Sequence, residues 1–141
     1  MNSNQEFFKK IQESLEAARS TVKLKEKIGS DITDVLSMLS VLTSDAVSFK
    51  ITANNGMNPG YRSNSKLIHI IKKSTPHIGF TLCGYVIDEA NGYPVTIENE
   101  VTIFNCDDDI SLKSTLTEFI TDQENSMKII NLISSDKDIP F

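Results

Sequence analysis

Apolar residues near the N-terminus recur at alternating steps of three and four, which places them on one face of an α-helix. These residues, here called the N-terminal stripe, are Phe8, Ile11, Leu15, Ala18 and Val22. Ser3 followed by Glu6 matches a capping box, in which serine caps the helix and the glutamate three positions later reaches back. The sequence therefore predicts a helix that starts at about Ser3.

The same spacing continues to Gly29 and beyond it to Ile32 and Leu36, and it allows two structures. In one, Gly29 ends the first helix and Ser30 or Asp31 caps a second. In the other, one long helix runs through Gly29 and presents a seam for self-association as a coiled coil. A glycine followed by two good capping residues favours the break. We therefore predict an N-terminal helical pair, through which the chain forms a homo-oligomer.

After residue 46 the period of the apolar residues changes to two, which is typical of half-buried strands. We predict strands at about 47–52, 66–73, 78–87, 93–97 and 101–104. Along the third strand, alternation places Phe80, Leu82 and Gly84 on one face. Pro94 cannot donate a hydrogen bond to a ladder, so its strand should lie at a sheet edge or start at Pro94. Short turns between the strands indicate antiparallel pairing.

The order of the predicted elements indicates one α+β domain that covers residues 1–141. A helical segment at 1–43 precedes an antiparallel sheet of about five strands at 46–105. Two amphipathic helices follow at 107–134, and an acidic run opens the first of them. This order is typical of a layered fold with helices against one face of an antiparallel sheet.

The chain carries a net charge of −5, and the charge is unevenly distributed. Residues 1–28 contain six basic and four acidic side chains, whereas residues 106–141 contain three basic and eight acidic ones. A net acidic chain is a poor match for nucleic acid, which requires clustered lysine or arginine. Acidity either keeps the protein in solution or forms a surface for a partner protein. The candidates for such a surface are Asp107, Asp108, Asp109, Glu118 and Asp122.

The acidic run also resembles part of a calcium-binding loop, but the match fails. The position that requires glycine for a sharp turn is occupied by Leu112. We therefore expect Asp107–Asp109 to cap a helix and to bind no metal. The two histidines, His69 and His77, should lie on a sheet face and at a strand start, also without a metal.

Cys83 and Cys106 belong to no C-x-x-C motif, and we expect buried thiols, although the sequence leaves a disulfide open. No catalytic motif is present, so we predict a non-enzymatic protein without a cofactor. An enzyme whose residues meet only in the fold remains open, because catalytic triads are defined by geometry.

The segment 54–65, here called the 54–65 loop, is long for a hairpin connection. Backbone amides, an aromatic ring and an arginine in such a loop could hold a small anionic ligand; a plain surface loop is the simpler interpretation. The candidates for ligand binding, which include a second, shorter turn, are Asn54, Asn55, Tyr61, Arg62, Asn91 and Tyr93.

Two functions fit these features. The first is a non-enzymatic binding protein that inhibits or neutralises a partner protein, as in bacterial or viral conflict. The second is an oligomeric protein that sequesters a nucleotide-like or phosphorylated small molecule. Neither function involves nucleic acid or a membrane. The first residues do not resemble a signal peptide and no apolar run could span a bilayer, so we expect a cytoplasmic protein.

Overall fold

A meander of five antiparallel strands forms the centre of the computed structural model, which describes residues 2–134. Each strand pairs with the next along the chain, in the order β1-β2-β3-β4-β5. The elements are α1 (Ser3–Leu42), β1 (Val47–Ala53), β2 (Lys66–Lys72), β3 (Thr75–Asp88), β4 (Gly92–Glu98), β5 (Ile103–Cys106), α2 (Asp109–Thr121) and α3 (Gln123–Ser134). The predicted α+β fold class is confirmed.

The N-terminal segment is one helix of 40 residues, so the prediction of a helical pair is wrong. Asn2 caps this helix by accepting a hydrogen bond from the backbone N–H of Gln5 at 2.9 Å. Gly29 lies within the helix, between the fully buried Ile28 and the fully buried Ile32. Glycine in a helix costs about 1 kcal/mol relative to alanine. Burial of two large apolar side chains on either side outweighs that cost, because each contributes about 1.5–3 kcal/mol.

The three helices pack on one face of the sheet and enclose the core between them. The second half of α1, together with α2 and α3, supplies the helical side of this core. The buried apolar residues of these helices are Ile28, Ile32, Val35, Leu36, Leu112, Leu116, Phe119, Ile129 and Leu132. By contrast, the first half of α1 contributes nothing to the core, and its described residues 2–20 are all exposed.

A register shift between β2 and β3 changes the faces that simple alternation predicts for β3. Ile68 pairs with Cys83 and His69 with Thr81, so Leu82 is an extra residue in β3. Such a bulge reverses the alternation at this point. Phe80 and Gly84 therefore lie on opposite faces of the sheet, contrary to the prediction that they share one, and Cys83 enters the core.

β4 lies between β3 and β5, so Pro94 is not at a sheet edge. It is the third residue of the strand, close to the start that the sequence also allowed. The ladder with β5 begins at Val95, and the ladder with β3 shifts register between Ile87 and Asp88. Pro94 is thus paired in neither ladder, so the strand loses no ladder hydrogen bond through the missing N–H of proline.

Candidate functional site

The side chain of Asn54 organises the 54–65 loop from within. Asn54 is 1% exposed, and its Nδ2 lies 2.9–3.2 Å from the carbonyl oxygens of Asn58, Tyr61 and Arg62. Its Oδ1 accepts a hydrogen bond from the backbone N–H of Asn58 at 2.7 Å. The Asn54 amide is therefore occupied by the loop itself, and it shapes the loop rather than facing a ligand. Asn55, with a φ of 49°, is exposed on the surface of the turn.

Glu98, at the end of β4, anchors this loop to the sheet. Its buried carboxylate accepts hydrogen bonds from the Nε of Arg62 at 2.9 Å, from the backbone N–H of Arg62 at 3.1 Å and from the hydroxyl of Ser65. Burial by itself raises the pKa of Glu98, but the hydrogen bonds from Ser65 and Arg62 outweigh it and hold that pKa below its ordinary value. Arg62, which the sequence suggested for an anionic ligand, is thus paired within the protein.

Next to this anchor, a groove of about 490 Å³ opens between the β4–β5 turn and helices α2 and α3. Four acidic side chains line this groove, and Lys128 is the only cation among its described lining residues. We call it the acidic groove. Its acidic residues are Glu100, Glu118, Asp122 and Glu124. The sequence suggested Glu118 and Asp122 for partner binding, whereas Glu100 and Glu124 were missed because only the folded chain brings them together.

Aromatic rings supply the apolar part of the acidic groove. The rings of Phe104 and Phe119 meet edge to face, with centroids 5.6 Å apart and an angle of 87° between their planes. Tyr61 is half-buried at the other side, and burial together with the nearby charge of Glu100 raises the pKa of Tyr61. Rings beside carboxylates favour a cationic side chain that can stack while its charge is neutralised.

Lys128 does not neutralise the whole groove, because its ammonium group already interacts with Glu124 and with the ring of Phe80. Its Nζ lies 3.5 Å from the Oε1 of Glu124, the residue four positions earlier on α3. The same Nζ stands 5.5 Å from the centroid of the Phe80 ring. Glu100, Glu118 and Asp122 therefore remain to attract a cation from outside.

The structure divides the five acidic residues of the predicted partner-binding surface into two groups. Asp107, Asp108 and Asp109 lie at the start of α2, whereas Glu118 and Asp122 lie at its end, about 15–20 Å away. Asp108 is the N-cap, and its Oδ1 accepts a hydrogen bond from the backbone N–H of Ser111 at 2.8 Å. The expected capping role of this run is thus confirmed for Asp108.

The six predicted ligand-binding residues are likewise separated. Asn91 and Tyr93 lie at the β3–β4 turn, where Gly92 approaches Leu24 of α1. Tyr61 lies near Glu98 at the opposite end of β4, about 20 Å along the strand. A ligand site that joins the two turns is therefore not formed, and each turn stays a separate prediction.

His69 and the two cysteines occupy structural positions, whereas His77 is exposed near the start of β3. His69 lies on the sheet face away from the helices, with its Nε2 2.8 Å from the Thr52 hydroxyl and its Nδ1 2.9 Å from the Thr81 hydroxyl. Cys83 and Cys106 are buried free thiols, which settles the question of a disulfide. Burial raises the pKa of Cys83 to about 12. Within residues 2–134, no group of three or more His, Cys, Asp or Glu side chains is placed to hold a metal ion.

Comparison with known proteins gave no match to a protein-family model, to a curated protein or to a solved structure. In the part of the chain that the structure describes, no helix has the length and apolar character needed to cross a membrane.

Proposed function

We propose that this protein is a non-enzymatic binding protein that neutralises a basic partner protein by receiving one of its lysine- or arginine-bearing segments in the acidic groove. The observation that carries the proposal is the groove's composition. Among the described residues that line it, four carboxylates lie beside aromatic rings, and the one lysine is paired with Glu124. An anionic site with aromatic walls is complementary to a cationic side chain with an apolar stem.

The geometry suits an arginine or lysine side chain better than a free metal ion. The acidic residues come from three separate elements, and they surround a space of about 490 Å³ that accommodates several side chains. An inserted guanidinium can face Glu100 and Glu118 while its planar group lies against Tyr61. The overall charge of −5 adds a long-range attraction that speeds association with a basic protein.

Sequestration of a nucleotide-like ligand ranks second. Such a ligand requires cations, and the one arginine of the 54–65 loop forms an ion pair with the buried Glu98. The carboxylates next to this loop also repel phosphate. Asn55 and Tyr61 still offer an amide and a ring at the surface, so a nucleotide-dependent rise in melting temperature that Tyr61→Ala removes supports this alternative.

A peptide titration followed by NMR tests the groove directly. The probe is a hexapeptide of alternating glycine and arginine, with the glycine–glutamate hexapeptide as its charge-reversed counterpart. We expect the arginine peptide to shift the amide signals of residues that line the groove, and the shifts to weaken with added salt. Shifts spread over the whole acidic surface, or equal shifts with the glutamate peptide, contradict the proposal.

Two double variants with the same net charge distinguish binding in the acidic groove from a general attraction by the charge of the protein. Glu100→Lys with Glu118→Lys reverses two groove residues, and both side chains are exposed, so the fold should persist. Asp34→Lys with Glu89→Lys makes the same change in net charge at exposed positions outside the groove. The arginine peptide should no longer shift the amide signals of the first variant, and it should still shift those of the second. A protein captured from host cells counts as the partner only if the second variant retains it, the first does not, and the arginine peptide displaces it.

A further inference from the structure

The first half of α1 is an arm that stands free of the core. Every described residue from Asn2 to Ser20 is exposed, and the helical part up to Val22 is about 30 Å long. The N-terminal stripe lies along this arm without cover. Phe8 is 70% exposed, Ile11 61% and Leu15 60%.

An isolated arm of this kind lacks the interaction that usually stabilises a helix. Most helical stability in proteins comes from packing of the apolar face, and a free helix of this length is marginal in water. The stripe is continuous over about four turns and has the spacing of a coiled-coil seam. A second helix laid along it therefore completes the structure.

We propose that the occupant is the arm of a second copy, packed antiparallel so that Ile11 of each copy faces Leu15 of the other. Side-chain size selects this direction. From Phe8 to Ala18 the stripe runs from its largest residue to its smallest, and Val22 lies one layer beyond this part. In the antiparallel register Phe8 faces Ala18 and Ile11 faces Leu15 of the second copy, so these layers combine a large with a small residue or two of middle size, while Val22 faces Asn4 at the margin of the contact. Parallel packing stacks Phe8 on Phe8 and leaves a gap between the alanines.

Charge favours the same direction. Residues 1–28 carry two more basic than acidic side chains and the whole chain has a net charge of −5, so residues 29–141 carry −7. We call residues 29–141 of each copy the acidic body. Parallel arms place the two acidic bodies at the same end, with helix axes about 8–10 Å apart. Antiparallel arms centred near Glu13 separate the points where α1 first contacts the core of each copy, near Leu24, by about 33 Å. That distance is several times the Debye length of about 8 Å at physiological salt.

The residues beside the stripe are compatible with this contact. Gln12 and Ser14, which flank the centre of the seam, are uncharged. In the antiparallel register Arg19, the one charged residue directly beside the seam, flanks it opposite Gln5 of the second copy, so no like charges meet there. The arm therefore offers a self-complementary surface, as a twofold symmetric interface requires.

Sedimentation equilibrium of the full chain tests the association. We expect a dimer whose dissociation constant rises about 100-fold or more in Leu15→Asp, because a buried leucine is lost from both copies. Ser20→Asp adds the same charge on the opposite side of the arm and should leave the dimer intact. A monomeric wild-type protein, or equal weakening by both variants, overturns the proposal. Since residue 15 lies outside the core, the near-ultraviolet circular dichroism of the body should not change.

Disulfide trapping tests the direction. Phe8→Cys and Ala18→Cys are prepared separately, mixed and oxidised; Cys83 and Cys106 stay in place because both are buried. The antiparallel register predicts a crosslink only in the mixture, between the two different variants. A crosslinked dimer of Phe8→Cys alone indicates parallel arms and overturns the proposed direction, and the absence of any crosslink overturns the register.

Discussion

The Nε of Arg62 lies 2.9 Å from the Oε2 of Glu98, although 36 positions separate the two residues in the sequence. The glutamate is 3% exposed, while the side chain of the arginine is 44% exposed. The buried partner also accepts hydrogen bonds from Ser65 and from the backbone of Arg62. One carboxylate thus holds the end of the 54–65 loop against β4, next to the acidic groove.

We expect Glu98→Ala to lower the free energy of unfolding by about 2–4 kcal/mol, because it leaves the Ser65 hydroxyl and the Arg62 N–H without their acceptor. Urea unfolding measures the change. Glu100→Ala is the control: this carboxylate is exposed, and a change within about 0.5 kcal/mol is expected. Equal effects of the two substitutions show that the buried network contributes no stability of its own.

The imidazole of His69 makes stability depend on pH. Burial, aided by the charge of Lys50, lowers the pKa of His69 below its ordinary value of 6.5. The unfolded chain therefore binds more protons between the two pKa values, so the stabilising contribution of His69 is complete above about pH 6.5 and is lost as pH falls through the folded pKa. In His69→Gln, unfolding free energies at pH 5 and pH 7.5 should differ less than in the wild type. The control, His77→Gln, removes an exposed ring and should keep the wild-type difference.

The sequence predicts those parts of this fold in which local pattern and burial agree. Alternation of Val47, Phe49 and Ile51 identifies β1, because one face of a meander strand is buried and the other is not. The acidic groove could not be predicted in this way. Glu100 follows β4 and Glu118 lies on α2, and only the packing of α2 against the sheet brings them together.

The wrong prediction of a helix break at Gly29 also arose because the local sequence does not show the tertiary packing. Local sequence shows the entropic cost of a glycine, but it does not show that Ile28 and Ile32 on either side are fully buried. The bulge at Leu82 is similar, since its cause lies in the pairing with β2 rather than in β3 itself. Long-range packing decided both cases.

A substitution at Gly29 checks that account. A β-carbon there meets no atom within 4 Å, so Gly29→Ala should stabilise the protein by about 0.5–1 kcal/mol through helix propensity alone. Gly92→Ala provides the contrast: its φ is +80° and a β-carbon comes within 3.0 Å of the Leu24 side chain, so the protein should lose stability. Thermal unfolding measures both changes. A loss of stability in Gly29→Ala indicates that the helix is interrupted at this position.

The thiol of Cys83 should report unfolding. Because burial raises its pKa to about 12, almost no thiolate is present at pH 8 in the folded protein. We expect iodoacetamide to leave Cys83 unmodified under native conditions and to alkylate it in urea, with the modified peptide identified by mass spectrometry. Rapid alkylation of the native protein contradicts the buried position. A cysteine introduced at the exposed Ser20 is the positive control, since it should react under both conditions.

A size exchange between Phe8 and Ala18 tests the register of the proposed dimer more strictly than any single substitution. Phe8→Ala should open a gap against Ala18 of the second copy, and Ala18→Phe should crowd Phe8, so each raises the dissociation constant about 10-fold or more. In the double variant, each of the two layers formed by positions 8 and 18 again contains one phenylalanine opposite one alanine. Its dissociation constant should therefore return to within about threefold of the wild type. Sedimentation equilibrium measures all four proteins. In a parallel dimer the exchange merely moves the phenylalanine pair from one end of the seam to the other. The single variant Ala18→Phe then adds a second aromatic layer in place of a clash, and the rescue that distinguishes the antiparallel register is not observed.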